Sequence, residues 1–468
     1  MNKKFYITTP IYYINDVPHI GHAYASVATD AIARYHRKQG EDVFFLTGTD
    51  EHGAKIAEAA AKLQETPQEF VDNLDLKFRA AWKLLDISND EYIRTTDPLH
   101  SKIVSKLVQE LVDRGFVEKR SYEGLYCVGC EKYMKESELV NGCCPDHLKK
   151  PVVQSEENYF FKLSAFADQL KSKIESDEIM IRPESKKNEI LGKINLGLDD
   201  ISISRASVEW GIPFPGDPEQ TIYVWIDALI NYYSATKMYD REDFWPADLH
   251  IIGKDIFWFH GVIWPAVLLA LDLPVYKKLF VHGYFTVDGQ KMSKTIGNVI
   301  KPEDLVAKYG TDAVRYYVLS AFPFGADGDV SLEKMNQAYL KLANEIGNLF
   351  QRTIAMINKY EISVVDNKVE KSEYIDIEHE MAELQLMEAL RKIMLFAEDQ
   401  NKAIASTQPW ALAKEGKNEE LASFLTKTHA NLLILADALV PFMPETAKKM
   451  NHQLATLDLE PLFPRIEE

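Results

Sequence analysis

The chain has 468 residues, 46% apolar and 26% charged, ordinary globular values with room for two or three cores. Its 53 lysines and arginines stand against 71 aspartates and glutamates, a net charge of −18, which argues mildly against a nucleic-acid partner. There is no signal-peptide pattern, and the one long apolar run (256–271) holds His260 and Pro265, reading as a buried helix and not a membrane span. A soluble, cytoplasmic protein is expected.

Residues 4–13 are rich in β-branched and aromatic side chains and predict a buried strand. Pro18 marks a turn, and Gly21 opens a helical run over 23–38. His19 and His22 therefore stand at a helix amino terminus, where unpaired N–H groups and the helix dipole favour an anion. Two imidazoles hinged on a glycine make a phosphate clamp there, although two histidines on an ordinary turn would look the same in isolation. Residues 48–55 come near a P-loop, but Ala54 separates Gly53 from Lys55, and no Gly-x-Gly-x-x-Gly fingerprint occurs. A strongly helical stretch over 99–114 closes this first α/β segment, residues 1–115.

All four cysteines fall between positions 127 and 144. Cys127 with Cys130, and Cys144 with His147, give two ligand pairs at zinc-knuckle spacing. Disulfides are the competing reading, disfavoured in a reducing compartment. Four protein ligands leave no open position, so the Zn2+ is expected to be structural. Cys143 is then a spare thiol.

The knuckle sits in an expected insertion, residues 116–222. The α/β texture resumes over 223–330, where 279–287 predict a strand and Asp288-Gly289 a turn. Lys291-Met292-Ser293-Lys294-Thr295 then places two lysines and two hydroxyls on a loop before Gly297 and Asn298. Flexible ammonium groups there suit a charge that develops as a leaving group departs; alone, they read as solvated surface lysines. Beyond 330 the pattern is helical. Met335, Tyr339, Leu342, Ile346, Leu349 and Ile357 mark one amphipathic helix, and Met387, Leu390, Met394 and Ala397 a second. Pro409-Trp410 breaks that helix and starts another, and 421–440 supplies a long apolar one. Residues 331–468 thus predict a helix bundle with its own core, which by pattern alone would serve equally as a dimerisation or packing module. The fold class is α/β: a Rossmann-like parallel sheet, an inserted zinc-knuckle domain, then an all-α bundle.

The pairing of His19-Ile20-Gly21-His22 with the downstream lysine loop, on either side of the knuckle, resembles the class I aminoacyl-tRNA synthetases. The surrounding residues are similar to the methionyl-tRNA synthetases of the single-knuckle type over nearly the whole chain. The resemblance implies a methionine–tRNA ligase, forming AMP and pyrophosphate. It would activate L-methionine with ATP and Mg2+ to methionyl-adenylate, then transfer it to the 3′-terminal adenosine of tRNA(Met). It implies catalytic roles for His19, His22, Lys291 and Lys294, and ATP contacts from these with Gly21, Gly253, Asp255 and Ser293. Pro10, Ile11, Tyr13, Asp50, Trp225, Ala228, Leu229, Tyr232, Ile256, Phe259 and His260 match the family's methionine pocket, with Asp50 holding the α-ammonium. Thr295 stands where the family usually has serine and keeps the hydroxyl.

Asn401 loosely matches the family's anticodon-contacting asparagine. No tryptophan follows Trp410, so the late stacking tryptophan of bacterial relatives is not found. The chain ends without the carboxy-terminal domain that makes many relatives dimeric, so a monomer is expected. The insertion is too short for the editing domain of the leucine, isoleucine and valine enzymes, and the knuckle lies outside the core, unlike the pocket zinc of cysteinyl enzymes. A non-catalytic paralogue that binds tRNA or a protein through the bundle is the competing reading, and the intact motifs weigh against it.

Overall fold

The computed structural model describes residues 3–127, 132–134, 136–145, 148–287, 289–291, 299–364 and 375–466. Strand β1 (Lys4–Tyr13) occupies the stretch that the β-branched pattern marked. It is joined by β2 (Asp42–Asp50), β3 (Glu91–Arg94), β4 (Met180–Arg182), β5 (Leu249–Gly253) and β6 (Lys278–His282) in the order β3-β2-β1-β5-β6-β4. Every neighbouring pair is parallel. Side chains alternate between two apolar layers: Phe5, Ile7, Val43 and Phe45 enter one core, and Tyr6, Phe44 and Leu46 the other. Both faces are covered, which is why these strands are apolar almost throughout. The chain reverses its winding direction between β1 and β5, so the loops at their carboxyl ends diverge and leave a crevice.

Two expectations need correction here. Met180–Arg182 lies inside the stretch expected as an insertion, yet it forms the edge strand β4, paired with β6. Ile190 and Ile194 of the following helix, Glu184–Asn195, belong to the sheet's own core. Three residues are too few to show a period of two. The single strand expected over 279–287 is likewise divided. β6 ends at His282, and Phe285–Val287 joins a separate small sheet between Gln290–Lys291 and Gly328–Val330. Gly283 lies at the division, where a Cβ would sit 2.3 Å from the Ala326 carbonyl oxygen, so only a glycine lets the two backbones pass.

The region expected to carry the knuckle forms a four-stranded antiparallel sheet of Val117–Cys127, Lys132–Met134, Val152–Phe161 and Ile201–Ser202. Cys127 and Cys144 are buried beside Met134 in a small cluster apart from the two main cores. Cys143 is half-buried. Cys130 and His147 lie outside the described residues, as does the segment 292–298 with Ser293 and Lys294.

After Gly328–Val330, Ser331 caps a helical run in which Leu332–Leu342 and Asn348–Lys359 are joined by a π-helical turn, Ala343–Gly347. The apolar spacing of 335–357 predicts one helix, and the π turn re-phases its face without ending it. The helices Leu386–Thr407, Pro409–Lys414, Asn418–Leu439 and Pro444–Thr456 follow, with Pro409 at a first helical position. The bundle does not have the separate core expected of it. Leu349, Leu390 and Leu435 belong to one continuous cluster with Phe5 and with Val27 and Ala31 of helix α1 (Ile20–Lys38).

Arg315, on the helix Thr311–Ser320, is fully buried where these pieces meet. Its guanidinium donates to Asp30 Oδ2 at 2.6 Å, to the carbonyl of Leu85 at 3.0 Å, and to those of Phe442 and Pro441 at 2.9 and 3.2 Å. Among the described residues, no helix is long and apolar enough to cross a membrane.

Candidate active site

Four parallel strands end at one edge: β1 at Tyr13, β2 at Asp50, β5 at Gly253 and β6 at His282. Above them lies a cavity of about 630 Å³. It is lined by Pro10, Ile11, Tyr13, Asp50, Trp225, Ala228, Leu229, Tyr232, Ile256, Phe259 and His260, and also by His19, Gly21, His22, Gly253 and Asp255. Lys291 ends the small hairpin with Thr286 as its register partner. The lining also includes residues that sequence reasoning did not select, among them Asn15, Lys55, His282 and Tyr284. His282 had a usable signal: it is the last residue of a strand beside the switch point, where such sheets place ligand contacts.

The two motif histidines cap α1 by an unusual means. The His19 Nδ1 accepts from the Gly21 N–H at 3.1 Å, and the His22 Nδ1 accepts from the His19 N–H at 3.2 Å. Serine and glutamate fill these positions in an ordinary capping box. Because each Nδ1 is an acceptor, a neutral ring carries its proton on Nε2. The rings stack with centroids 3.8 Å apart. Burial, and secondarily the neighbouring His19, holds the His22 pKa well below the usual histidine value, so the ring is neutral and serves as an N–H donor. The helix amino terminus beneath adds its own partial positive charge.

The apolar end of the cavity is fixed by hydrogen bonds as well as packing. The Trp225 and Phe259 rings stack at 3.8 Å with planes 6° apart. The His260 Nδ1 lies 3.0 Å from the Ile256 carbonyl, which can only accept, so the proton is on Nδ1. Nε2 therefore accepts from the Tyr232 hydroxyl at 2.8 Å. The Tyr6 hydroxyl donates to the Tyr232 carbonyl at 2.7 Å, and that of Tyr276 to the His260 carbonyl at 2.7 Å. Burial lowers the His260 pKa to about 4, so this part of the wall is uncharged at neutral pH. Asp50, at the end of β2, is buried opposite Tyr13.

A pH consequence follows from His260. Its folded pKa lies below the unfolded value near 6.5, so the unfolded chain takes up the proton first. The stabilisation is complete above about pH 6.5 and is lost as pH falls toward 4, on the order of 3 kcal/mol in total. Urea unfolding from pH 7 to 4.5 should show this loss, and His260→Gln should flatten the slope; an unchanged slope would contradict the assignment.

In the bundle, the Asn401 side chain accepts from Arg352 at 2.9 Å and donates to the Glu345 carbonyl at 2.8 Å, so its amide orients Arg352, which sequence reasoning had passed over. Trp410 is 47% exposed and is the one aromatic among the exposed large apolar residues described.

The chain matches the family "tRNA synthetases class I (M)" over residues 5–150 and 147–354. It is 46% identical over 475 residues to a methionine–tRNA ligase of Caldanaerobacter subterraneus subsp. tengcongensis, covering 97% of this chain and 74% of that protein. A methionine–tRNA ligase of Thermotoga maritima is 45% identical over 471 residues, covering 96% and 74%. The solved structure of Mycobacterium tuberculosis methionyl-tRNA synthetase in complex with methionyl-adenylate aligns with a TM-score of 0.92 at 35% identity, across 99% of this chain and 100% of that one. The similarity runs over nearly the whole length, and the chain belongs to the methionyl-tRNA synthetases of class I.

Proposed function

We propose that this chain is a methionine–tRNA ligase working in two steps. The methionine carboxylate attacks the α-phosphorus of ATP, which enters as its Mg2+ complex, and pyrophosphate leaves. A hydroxyl of the terminal ribose of tRNA(Met), the 2′-OH in class I, then attacks the methionyl carbonyl and AMP leaves. The observation that carries this reading is the single cavity lined both by the two histidines at the α1 amino terminus and by the stacked Trp225 and Phe259 rings with neutral His260. No protein nucleophile is needed, so the contribution of the chain is positioning and charge stabilisation. In this reading the His19 and His22 Nε2–H groups hold the phosphates, Lys291 and Lys294 neutralise the departing pyrophosphate, and Ser293 adds a hydroxyl. Gly253 and Asp255 hold the adenosine, and Asp50 the α-ammonium. The thioether lies against Trp225, Phe259 and neutral His260, a lining that suits a polarisable sulfur.

The acidic balance of the chain does not preclude a tRNA partner, because net charge describes the whole surface and not one face. Trp410, exposed at a helix start in the bundle, supplies a ring on which an anticodon base can stack, with Asn401 acting through Arg352. A structural Zn2+ fits the donor chemistry of the knuckle. Cys127 and Cys144 are buried together, the Cys144 N–H donates to the Lys149 carbonyl, and the Cys144 carbonyl accepts from the Leu148 N–H. Cys130 and His147 would complete the set. Elemental analysis should find one zinc per chain, reduced several-fold in Cys130→Ser.

The deciding experiment is ATP–pyrophosphate exchange with methionine, leucine and cysteine separately, without tRNA. Exchange with methionine alone is expected. Absence of exchange with all three in folded protein would favour the non-catalytic paralogue.

A further inference from the structure

The helix Val224–Met238 carries Trp225, Ala228, Leu229 and Tyr232 on the face toward the cavity. Its opposite face is also buried, but it is polar: Asp227, Asn231 and Ser234 recur at steps of four and three residues, with Asp227 only 1% exposed. Two histidines from other elements converge on this carboxylate. His52 Nδ1 lies 2.7 Å from Asp227 Oδ2, and His100 Nε2 lies 2.7 Å from Asp227 Oδ1. His100 Nδ1 reaches Ser234 Oγ at 2.6 Å. Asp227, His100 and Ser234 do not line the cavity.

The geometry points to Asp227 as a positioning residue that sets the spacing between the two ends of the amino-acid pocket. This rests on the methionine reading of the cavity. His52 lies two residues beyond Asp50 on the same short connection, and its ring packs against Trp210. The Trp210 indole donates to the Glu51 carbonyl at 2.6 Å, and the Gly53 N–H to the Trp210 carbonyl at 3.0 Å. The connection bearing Asp50 is thus rigid, and the His52–Asp227 bond fastens it to the helix bearing the aromatic wall. His100, near the start of the helix Pro98–Asp113, fastens that helix at a second point. Burial alone would raise the Asp227 pKa, but the two histidines hold it below the usual carboxylate value. A buried carboxylate adds little net stability over an apolar side chain of similar volume, whereas its directional bonds define one geometry. Methionine must reach both the ammonium anchor and the aromatic wall, so a sub-ångström change in their spacing falls on methionine binding and not on ATP.

The test compares His52→Ala, His52→Asn and Asp227→Asn in the full chain. Asparagine places its amide nitrogen near the position of Nδ1 and retains the donor to Asp227. Exchange kinetics give the KM values for methionine and ATP, and the change in intrinsic tryptophan fluorescence on titration with methionine gives its affinity independently of turnover. His52→Ala and Asp227→Asn should raise the methionine KM about tenfold with the ATP KM changed less than twofold, and His52→Asn should stay within about threefold of wild type. Equal rises in both KM values, an unchanged methionine KM, or no rescue by asparagine would overturn the assignment. Failure of the unaltered chain to respond to methionine would instead reject the underlying reading of the pocket.

Discussion

Replacing Arg315 with methionine is expected to destabilise the fold by about 3–5 kcal/mol, read from urea unfolding monitored by circular dichroism. The guanidinium is fully buried and bonded to Asp30 of α1, to the Leu85 carbonyl, and to the chain turn at Pro441 and Phe442. Burial alone would raise the Asp30 pKa, but Arg315, Arg34 and Ser88 together hold it below the usual carboxylate range. Methionine would fill much of the volume while leaving a buried carboxylate short of one cation and several carbonyls without donors. The cost therefore comes from what remains unpaired. An Asp30→Leu, Arg315→Met double variant should recover much of the loss, because it removes both charges together. A single-variant cost below about 1 kcal/mol would show that water or a neighbouring donor compensates for the arginine.

The second large effect is catalytic. His22→Asn should slow methionine-dependent exchange about 10²-fold while leaving the methionine KM and the unfolding midpoint nearly unchanged. The asparagine oxygen can still accept from the His19 N–H, so the helix cap survives. The ring Nε2–H, the proposed phosphate donor, is lost. His22→Ala should add a stability loss of about 1 kcal/mol, because the cap goes as well. If His22→Asn retained near-wild-type turnover, the histidine would be a capping residue only.

The sequence was legible wherever a feature repeats along the chain or sits in a short motif. The strand Lys4–Tyr13, the helix after Gly21 and the bundle helices follow from periodicity, and the histidine pair from helix-end chemistry. What it concealed depends on contacts distant in sequence. Arg315 lies three residues after Asp312 in the short helix Thr311–Ser320 and has no local signal of its role, because its partners are more than 100 positions away. Asp227, between Trp225 and Ala228, carries no local pattern that marks it, and its role emerges only from a helix with two buried faces. The break at Gly283 depends on Ala326 passing alongside, which no local pattern records. His282 and Trp410 were visible but unweighted: one needed the strand order, the other its exposure.

The cluster that runs without interruption from Phe5 through α1 to Leu435 bears on how this protein comes apart. Its natural seam follows the plane of the sheet and not the chain boundary near residue 330. A fragment ending there would uncover the helix Thr311–Ser320, which packs against Leu332–Leu342, Leu386–Thr407 and Pro444–Thr456 on one side and against α1 on the other. The helices after 330 should therefore unfold with the amino-terminal layer as one cooperative block, while the small cysteine cluster, which shares no side chain with either main core, is free to open by itself.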